Sequence, residues 1–131
     1  PITLLVVDDD MRLAFSIARG LQSRVGNLLL ASDGAMALRE LAEHPEINAI
    51  LMDVRMPHLD GKEAIRIIRA EPRHRPIVIL AMTAHQEEVE PCRQAGADAC
   101  LTKPVAIEQI GAAFAEVIAT RMPHANDEPP A

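Results

Sequence analysis

Five short apolar runs alternate along the chain with segments whose apolar residues recur at helical spacing. The runs are continuous and rich in aliphatic or β-branched residues, which is typical of strands buried on both faces of a sheet. We predict strands at Thr3–Val7, Leu28–Ala31, Ala49–Met52, Ile77–Met82 and Ala99–Leu101. Strands that alternate regularly with helices form a parallel sheet covered on both faces. The pattern therefore predicts a doubly wound α/β fold.

The segments between these runs are predicted to be amphipathic helices. They span Met11–Arg24, Ala35–Glu43, Gly61–Ala70, Glu87–Gln94 and Ala106–Thr120. The last is the clearest, because Ile107, Ile110 and Phe114 share one face. The fourth is the weakest, since Pro91 falls near its middle. We expect that this helix either starts late or is distorted at the proline.

The elements fit one domain, which we place at residues 1–121 of the 131. Residues 122–131 contain three prolines and no apolar periodicity, so we expect a disordered tail or a linker. The chain begins with Pro1 close to the first strand and ends in the proline-rich stretch. This suggests a domain excised from a longer protein, although the pattern also suits a stand-alone protein.

Charge and composition narrow the classes of partner. The 13 Lys and Arg residues against 19 Asp and Glu residues give a net charge of −6, which argues against direct nucleic-acid binding. No apolar run approaches the ~20 residues of a membrane span, and no signal peptide precedes the first strand. We therefore expect a cytoplasmic protein without membrane contact. Cys92 and Cys100 are expected to be reduced, structural thiols.

Polar residues follow four of the predicted strands where each strand ends. Ligands of open α/β sheets bind at the carboxyl ends of the strands, so these residues are candidates for one site. They are Asp8, Asp9, Asp10, Asp53, Thr83 and Lys103.

Carboxylates brought together at such an edge need a compensating charge. Each close pair repels by roughly 4 kcal/mol at an effective dielectric constant of about 20, so the cluster takes up protons or binds a cation. Oxygen ligands without nearby Cys or His favour Mg²⁺. A metal, an ammonium and a hydroxyl also suit a phosphoryl group, and the chain has no glycine-rich phosphate loop. We therefore predict covalent phosphorylation, with Asp53 as the nucleophile.

Four motifs, in this order, carry a family resemblance: "VVDDD", "LMDVRMPHLDG", "AMTAH" and "LTKPV". Together they resemble the receiver domain of two-component response regulators over residues 2–120. The resemblance implies a flavodoxin-like sheet with strand order 2-1-3-4-5. It also implies a signalling phosphoacceptor that catalyses only its own phosphorylation and dephosphorylation. The phosphoryl donor would be a histidine kinase or a histidine phosphotransfer protein.

The resemblance assigns the metal and acceptor residues by position. Asp53 matches the phosphoacceptor, and Asp9 matches the direct acidic ligand of Mg²⁺. Asp8 acts beside Asp9, often through water. The main-chain carbonyl of Arg55 is implied as a further ligand.

The resemblance also assigns the switch residues, with one departure. Thr83 matches the switch hydroxyl, and Lys103 matches the lysine that pairs with phosphoryl oxygens, followed by a peptide bond to Pro104 that is usually cis. The aromatic residue usual three positions before this lysine is replaced by Cys100. We therefore expect the shift of Thr83 to act through backbone movement from Ala84 into the fourth helix.

Two residues beside the acceptor are candidates for setting how long the phosphoryl group persists. The sequence leaves the attached domains and the oligomeric state open. We hypothesise that Arg55 and His85 flank the phosphoryl group and set its lifetime. An attached kinase or effector domain fits the resemblance, and so does a stand-alone regulator. We expect a monomer or a weak, phosphorylation-dependent dimer.

Structural alternatives exist for the candidate residues. Asp10 and Asp60 suit helix N-caps, and Thr83 with Gln86 forms a capping-box pattern. Taken without its neighbours, Lys103 would be interpreted as a solvent-exposed surface charge. Cys100 would be interpreted as a residue that packs in the apolar core.

Two other functions are alternatives to phosphoacceptance. A phosphorylation-independent binding module normally lacks the acceptor, the acidic pair or the lysine, and all are present here. A phosphatase of the haloacid-dehalogenase type carries D-x-D at its nucleophile, with the second Asp as general acid, whereas Arg55 stands at the position of that second Asp here.

Overall fold

A computed structural model describes residues 2–121, and the predicted tail at 122–131 lies outside them. Five strands form one parallel sheet in the order β2-β1-β3-β4-β5, which confirms the predicted fold class and strand order. The strands are β1 Thr3–Val7, β2 Asn27–Ala31, β3 Ala49–Asp53, β4 Val78–Thr83 and β5 Ala99–Thr102. Each observed boundary lies within one residue of its prediction.

The described residues form five α-helices and three short 3₁₀ segments. The helices are α1 Met11–Leu21, α2 Gly34–Glu43, α3 Gly61–Ala70, α4 Val89–Ala95 and α5 Ile107–Arg121. The 3₁₀ segments are Gln22–Arg24, Pro72–His74 and Gln86–Glu88. Within residues 2–121, no helix has the length and apolar character needed to cross a membrane.

The fourth helix starts two residues later than predicted, and α1 ends three residues earlier than predicted. Residues 86–88 form a 3₁₀ turn, and the α-helix begins only at Val89. Pro91 is then the third residue of the helix, where its missing N–H has no acceptor within the helix. The helix therefore starts late, and the proline lies in a turn that tolerates it.

Two apolar cores cover the two faces of the sheet. On one face, Leu5 and Val7 pack with residues of α2, α3 and α4. On the other face, Leu4 and Val6 pack with residues of α1 and α5. Because successive side chains of a strand point to opposite faces, burial on both sides requires an unbroken apolar run. The coverage of both faces of the sheet therefore explains the apolar runs of the sequence.

The register of the strands brings the candidate polar residues to one edge. Val7 of β1 pairs with Met52 of β3, so Asp8 and Asp53 both follow at the same level. Asp53 in turn pairs with Met82 of β4, which places Thr83 one residue further along that strand. The carboxyl edge of the sheet thus carries the candidate site.

Candidate functional site

Asp53, the last residue of β3, is a buried carboxylate with an ammonium partner. Its relative exposure is 5%, and Lys103 Nζ donates a hydrogen bond to its Oδ1 at 2.9 Å. Lys103 lies after β5 and precedes a cis peptide bond to Pro104. Burial raises the pKa of Asp53 above its ordinary value, and the hydrogen bond from Lys103 opposes this rise.

Asp8 follows β1 and is buried without a full set of partners. Only 1% of it is exposed, and its Oδ1 accepts a hydrogen bond from the Asp10 backbone N–H at 2.9 Å. Among the described residues, no group donates to its buried Oδ2. Burial raises the pKa of Asp8 to about 6, and the negative charge of Asp53 adds to the rise. A buried carboxylate oxygen without a partner indicates a missing proton or cation.

The donor set fits Mg²⁺. Carboxylate oxygens of Asp8, Asp9 and Asp53 lie within 4.8 Å of one another, and Asp9 is exposed to solvent. These are hard oxygen ligands, few in number and open to water on one side, which suits an ion that keeps several of its waters. The unpaired Asp8 Oδ2 is the specific feature that a cation would satisfy.

Helix α3 begins directly against the backbone of the acceptor strand. The N–H of Gly61 donates to the carbonyl of Val54 at 2.7 Å. A Cβ at position 61 would overlap the carbonyl oxygen of Asp53 and lie 2.8 Å from the Cα of Val54. Asp60 caps the helix by accepting from the backbone N–H of Glu63 at 2.9 Å. The Asp-Gly pair therefore permits a close approach as well as a turn.

Asp10 is the N-cap of α1, as expected, because its side chain accepts from the backbone N–H groups of Arg12 and Leu13. The capping box of Thr83 and Gln86 is not formed. The side-chain oxygen of Gln86 accepts from the hydroxyl of Thr102 at 3.1 Å instead of reaching back.

The Thr83 hydroxyl is buried and both donates and accepts a hydrogen bond. Its Oγ1 accepts from the His85 backbone N–H at 3.1 Å and donates to Glu88 Oε1 at 3.2 Å. Thr83 itself is 1% exposed. The switch hydroxyl predicted from the sequence is therefore bonded to an acidic side chain that the sequence analysis did not single out.

Glu88 is the residue that the sequence analysis missed. It is 8% exposed and accepts from Arg55 Nε at 2.8 Å and from Lys62 Nζ at 3.0 Å. Burial acts to raise its pKa, but the hydrogen bonds from Arg55, Lys62 and Thr83 outweigh it and hold the pKa at about 2. No local sequence signal marks its burial, because the two cations that pair with it lie 33 and 26 residues away along the chain.

The remaining candidates lie around this centre. Arg55 has a largely exposed side chain that reaches Glu88, and the His85 ring lies 3.7 Å from a carboxylate oxygen of Glu87. Ala84 is exposed and Cys100 is half-buried. The Cys100 thiol contacts that of Cys92, and burial raises the pKa of both thiols. Both cysteines are free.

Comparison with known proteins identifies the family. The model of the response regulator receiver domain matches residues 4–115. The chain therefore belongs to the response regulator receiver domain family of two-component systems.

Longer relatives share this region. The chain is 34% identical over 131 residues to response regulator MprA of Mycobacterium sp. (strain KMS), which covers 100% of this chain and 56% of MprA. It is 35% identical over 107 residues to the transcriptional regulatory protein PrrA of Mycobacterium tuberculosis (strain ATCC 25618 / H37Rv), covering 82% of this chain and 46% of PrrA. The chain thus spans about half the length of these relatives.

Solved structures support the fold. Chemotaxis response regulator CheY4 of Vibrio cholerae superposes with a TM-score of 0.81 at 26% identity, covering 88% of this chain and 98% of CheY4. A response regulator receiver domain protein from Clostridium thermocellum superposes with a TM-score of 0.83 at 25% identity, covering 92% and 97% of the two chains.

Proposed function

We propose that this receiver domain accepts a phosphoryl group on Asp53 from a phosphohistidine of a histidine kinase or histidine phosphotransfer protein. One observation carries the proposal: Asp53 is buried at the strand edge, bonded to Lys103 Nζ at 2.9 Å, and clustered with the carboxylates of Asp8 and Asp9. An acceptor needs a carboxylate oxygen that is held in place beside positive charge. The carboxylates of Asp8 and Asp9 provide ligands for a cation beside Asp53.

The transfer forms one bond and breaks one bond. A carboxylate oxygen of Asp53 donates an electron pair to phosphorus, and the bond from phosphorus to the histidine nitrogen breaks. The electron pair of the broken bond stays on the imidazole, which takes a proton from solvent when it needs one. Lys103 Nζ donates to Oδ1 of Asp53 and so helps to hold the carboxylate in place at the strand edge.

Asp8, Asp9 and Asp53, with the main-chain carbonyl of Arg55, would hold Mg²⁺. The ion would neutralise negative charge on the phosphoryl oxygens. The Lys103 ammonium, which is bonded to Asp53, would also pair with those oxygens, and the unpaired oxygen of the buried Asp8 would serve as a ligand of the ion. The Lys103 ammonium opposes the negative charge that builds on the phosphoryl oxygens, whereas the Asp8 carboxylate would contribute only by holding the ion.

The conformational output follows from the hydroxyl of Thr83. After phosphorylation this hydroxyl turns toward the phosphoryl group, and the backbone from Ala84 into α4 moves with it. Cys100 stands where the family usually has an aromatic residue, so its side chain changes the surface less. The longer relatives are named as regulators, which supports control of an attached domain or a separate partner.

The test is uptake of phosphate by the full chain. The protein is incubated with Mg²⁺ and a small phosphodonor such as phosphoramidate, and its intact mass is measured. We expect a gain of one phosphoryl group that is lost in Asp53→Asn and strongly reduced without Mg²⁺. Asp33→Asn is the matched control, because Asp33 only caps α2. An equal gain in Asp53→Asn would contradict the proposal.

A further inference from the structure

Glu88 gathers three donors from three different elements. Its Oε1 accepts from Arg55 Nε at 2.8 Å and from Thr83 Oγ1 at 3.2 Å, and its Oε2 accepts from Lys62 Nζ at 3.0 Å. Arg55 belongs to the loop after β3, Lys62 to the first turn of α3, and Thr83 to the end of β4. One carboxylate therefore connects the acceptor strand, its helix and the switch strand to the segment that leads into α4.

A phosphoryl group attracts the same kinds of donor as the Glu88 carboxylate does. A guanidinium, an ammonium and a hydroxyl form charge-assisted hydrogen bonds with phosphoryl oxygens as they do with a carboxylate. Arg55 lies two residues after Asp53, and Thr83 lies next to Met82, the β4 residue paired with Asp53. Two of the three donors to Glu88 thus belong to residues close to the acceptor in the chain or in the neighbouring strand.

We propose that Glu88 is a positioning residue that competes with the phosphoryl group on Asp53 for the Thr83 hydroxyl and the Arg55 guanidinium. The inference rests on the proposed function and adds its regulation. In the resting protein Glu88 holds both donors, and phosphorylation must draw them away.

The hydroxyl is the decisive part of this competition. It has a single proton, so it cannot donate to Glu88 and to a phosphoryl oxygen at once. Arg55 is free to move because 63% of its side chain is exposed. Lys62 stays bonded to Glu88, so the carboxylate keeps a cationic partner after the exchange. The exchange therefore leaves no buried charge alone.

The competition predicts tighter binding of a phosphoryl mimic when Glu88 is removed. The full chain is titrated with beryllofluoride in the presence of Mg²⁺, and the apparent Kd is measured by calorimetry. Glu88→Ala removes one hydrogen bond that competes with the phosphoryl mimic. We therefore expect the Kd for beryllofluoride to be about fivefold lower in this variant than in the parent. Glu88→Gln is expected between parent and Glu88→Ala, because its amide oxygen still accepts from Thr83 without attracting the two cations as strongly.

Glu90→Ala is the matched control, because this acidic side chain is exposed in the first turn of α4 and is not one of the groups bonded to Arg55, Lys62 or Thr83. Its Kd is expected to equal that of the parent. An unchanged or weaker Kd in both Glu88 variants would overturn the inference. Glu88→Gln keeps the shape of the side chain, so the comparison stands even if Glu88→Ala folds poorly.

A double-mutant cycle separates competition from a general structural effect. If Glu88 acts through the hydroxyl, its substitution to Ala should tighten binding much less in a Thr83→Ala background. Equal tightening in both backgrounds would overturn the inference.

The parent titration reports on the proposed function separately. Binding by the parent that is absent in Asp53→Asn, together with unresponsive Glu88 variants, overturns only the role of Glu88. No binding by the parent overturns the proposed function and the role of Glu88 together.

Discussion

Asp8 is the residue whose substitution should change stability most clearly. In the metal-free protein its buried Oδ2 has no partner among the described residues, and its pKa is raised from 3.8 to about 6. The folded protein therefore binds this proton more tightly than the unfolded chain does. The stability that Asp8 contributes is present below about pH 4, is lost as the pH rises to about 6, and stays lost above it.

Asp8→Asn should therefore stabilise the metal-free protein at neutral pH. The expected gain in the free energy of unfolding is on the order of 2–3 kcal/mol at pH 7.5, and it should largely vanish near pH 4. Urea unfolding with a chelator present measures both values. Asp33→Asn, at an N-cap, should change little at either pH. A loss of stability in Asp8→Asn at pH 7.5 would contradict this account of the buried carboxylate.

Residues of the site differ in how far the sequence reveals them. Asp53 and Thr83 stand directly after apolar runs and Lys103 stands two residues after one, so the rule for strand ends finds them without coordinates. Glu88 is different, because its burial depends on where the 3₁₀ turn ends and on cations supplied from elsewhere. Those donors are 33 and 26 residues away along the chain. No local pattern contains that pairing.

At the scale of elements, continuous apolar runs predicted the strands well because both faces of the sheet are covered. The start of α4 could not be predicted so well. A proline is tolerated in the first turn of a helix and disruptive in its middle, so Pro91 fitted two different boundaries. The 3₁₀ turn that precedes Val89 decides between them.

The junction between β3 and α3 is the element contact most sensitive to substitution. A Cβ at position 61 would meet backbone atoms of Asp53 and Val54, which cannot move without displacing the acceptor. Gly61→Ala should therefore destabilise the protein by about 2 kcal/mol or more and weaken binding of beryllofluoride. Urea unfolding and calorimetry measure the two effects.

Gly111→Ala is the matched control for this prediction. There a Cβ would meet the guanidinium of Arg24, an exposed side chain that can swing into solvent. Alanine also favours a helix interior over glycine by about 1 kcal/mol. We expect Gly111→Ala to be neutral or stabilising. Equal losses in the two variants would contradict the role assigned to the junction.

At the scale of the whole molecule, the site exists because four strand ends meet at one sheet edge. Alternating apolar runs and helical segments indicate the parallel α/β class. They do not give the order of the strands, which came from the family resemblance. The order matters because β1, β3 and β4 must be neighbours for Asp8, Asp53 and Thr83 to converge.

Magnesium should stabilise the whole fold by binding only the folded chain. At free Mg²⁺ 100 times its Kd, the free energy of unfolding is expected to rise by about 2.7 kcal/mol. Thermal unfolding at increasing Mg²⁺ concentration measures this effect. Asp8→Asn should respond weakly, and Asp33→Asn should respond like the parent. A response of Asp8→Asn equal to that of the parent would place the ion elsewhere.

The central claim is that Asp53 is the residue that carries the phosphoryl group. Phosphorylated protein can be reduced with borohydride, which converts an acyl phosphate of aspartate to homoserine, and the peptides can then be sequenced by mass spectrometry. The account predicts homoserine at position 53 and aspartate at positions 8 and 9. Homoserine at another position, or none in protein that has gained phosphate, would contradict it.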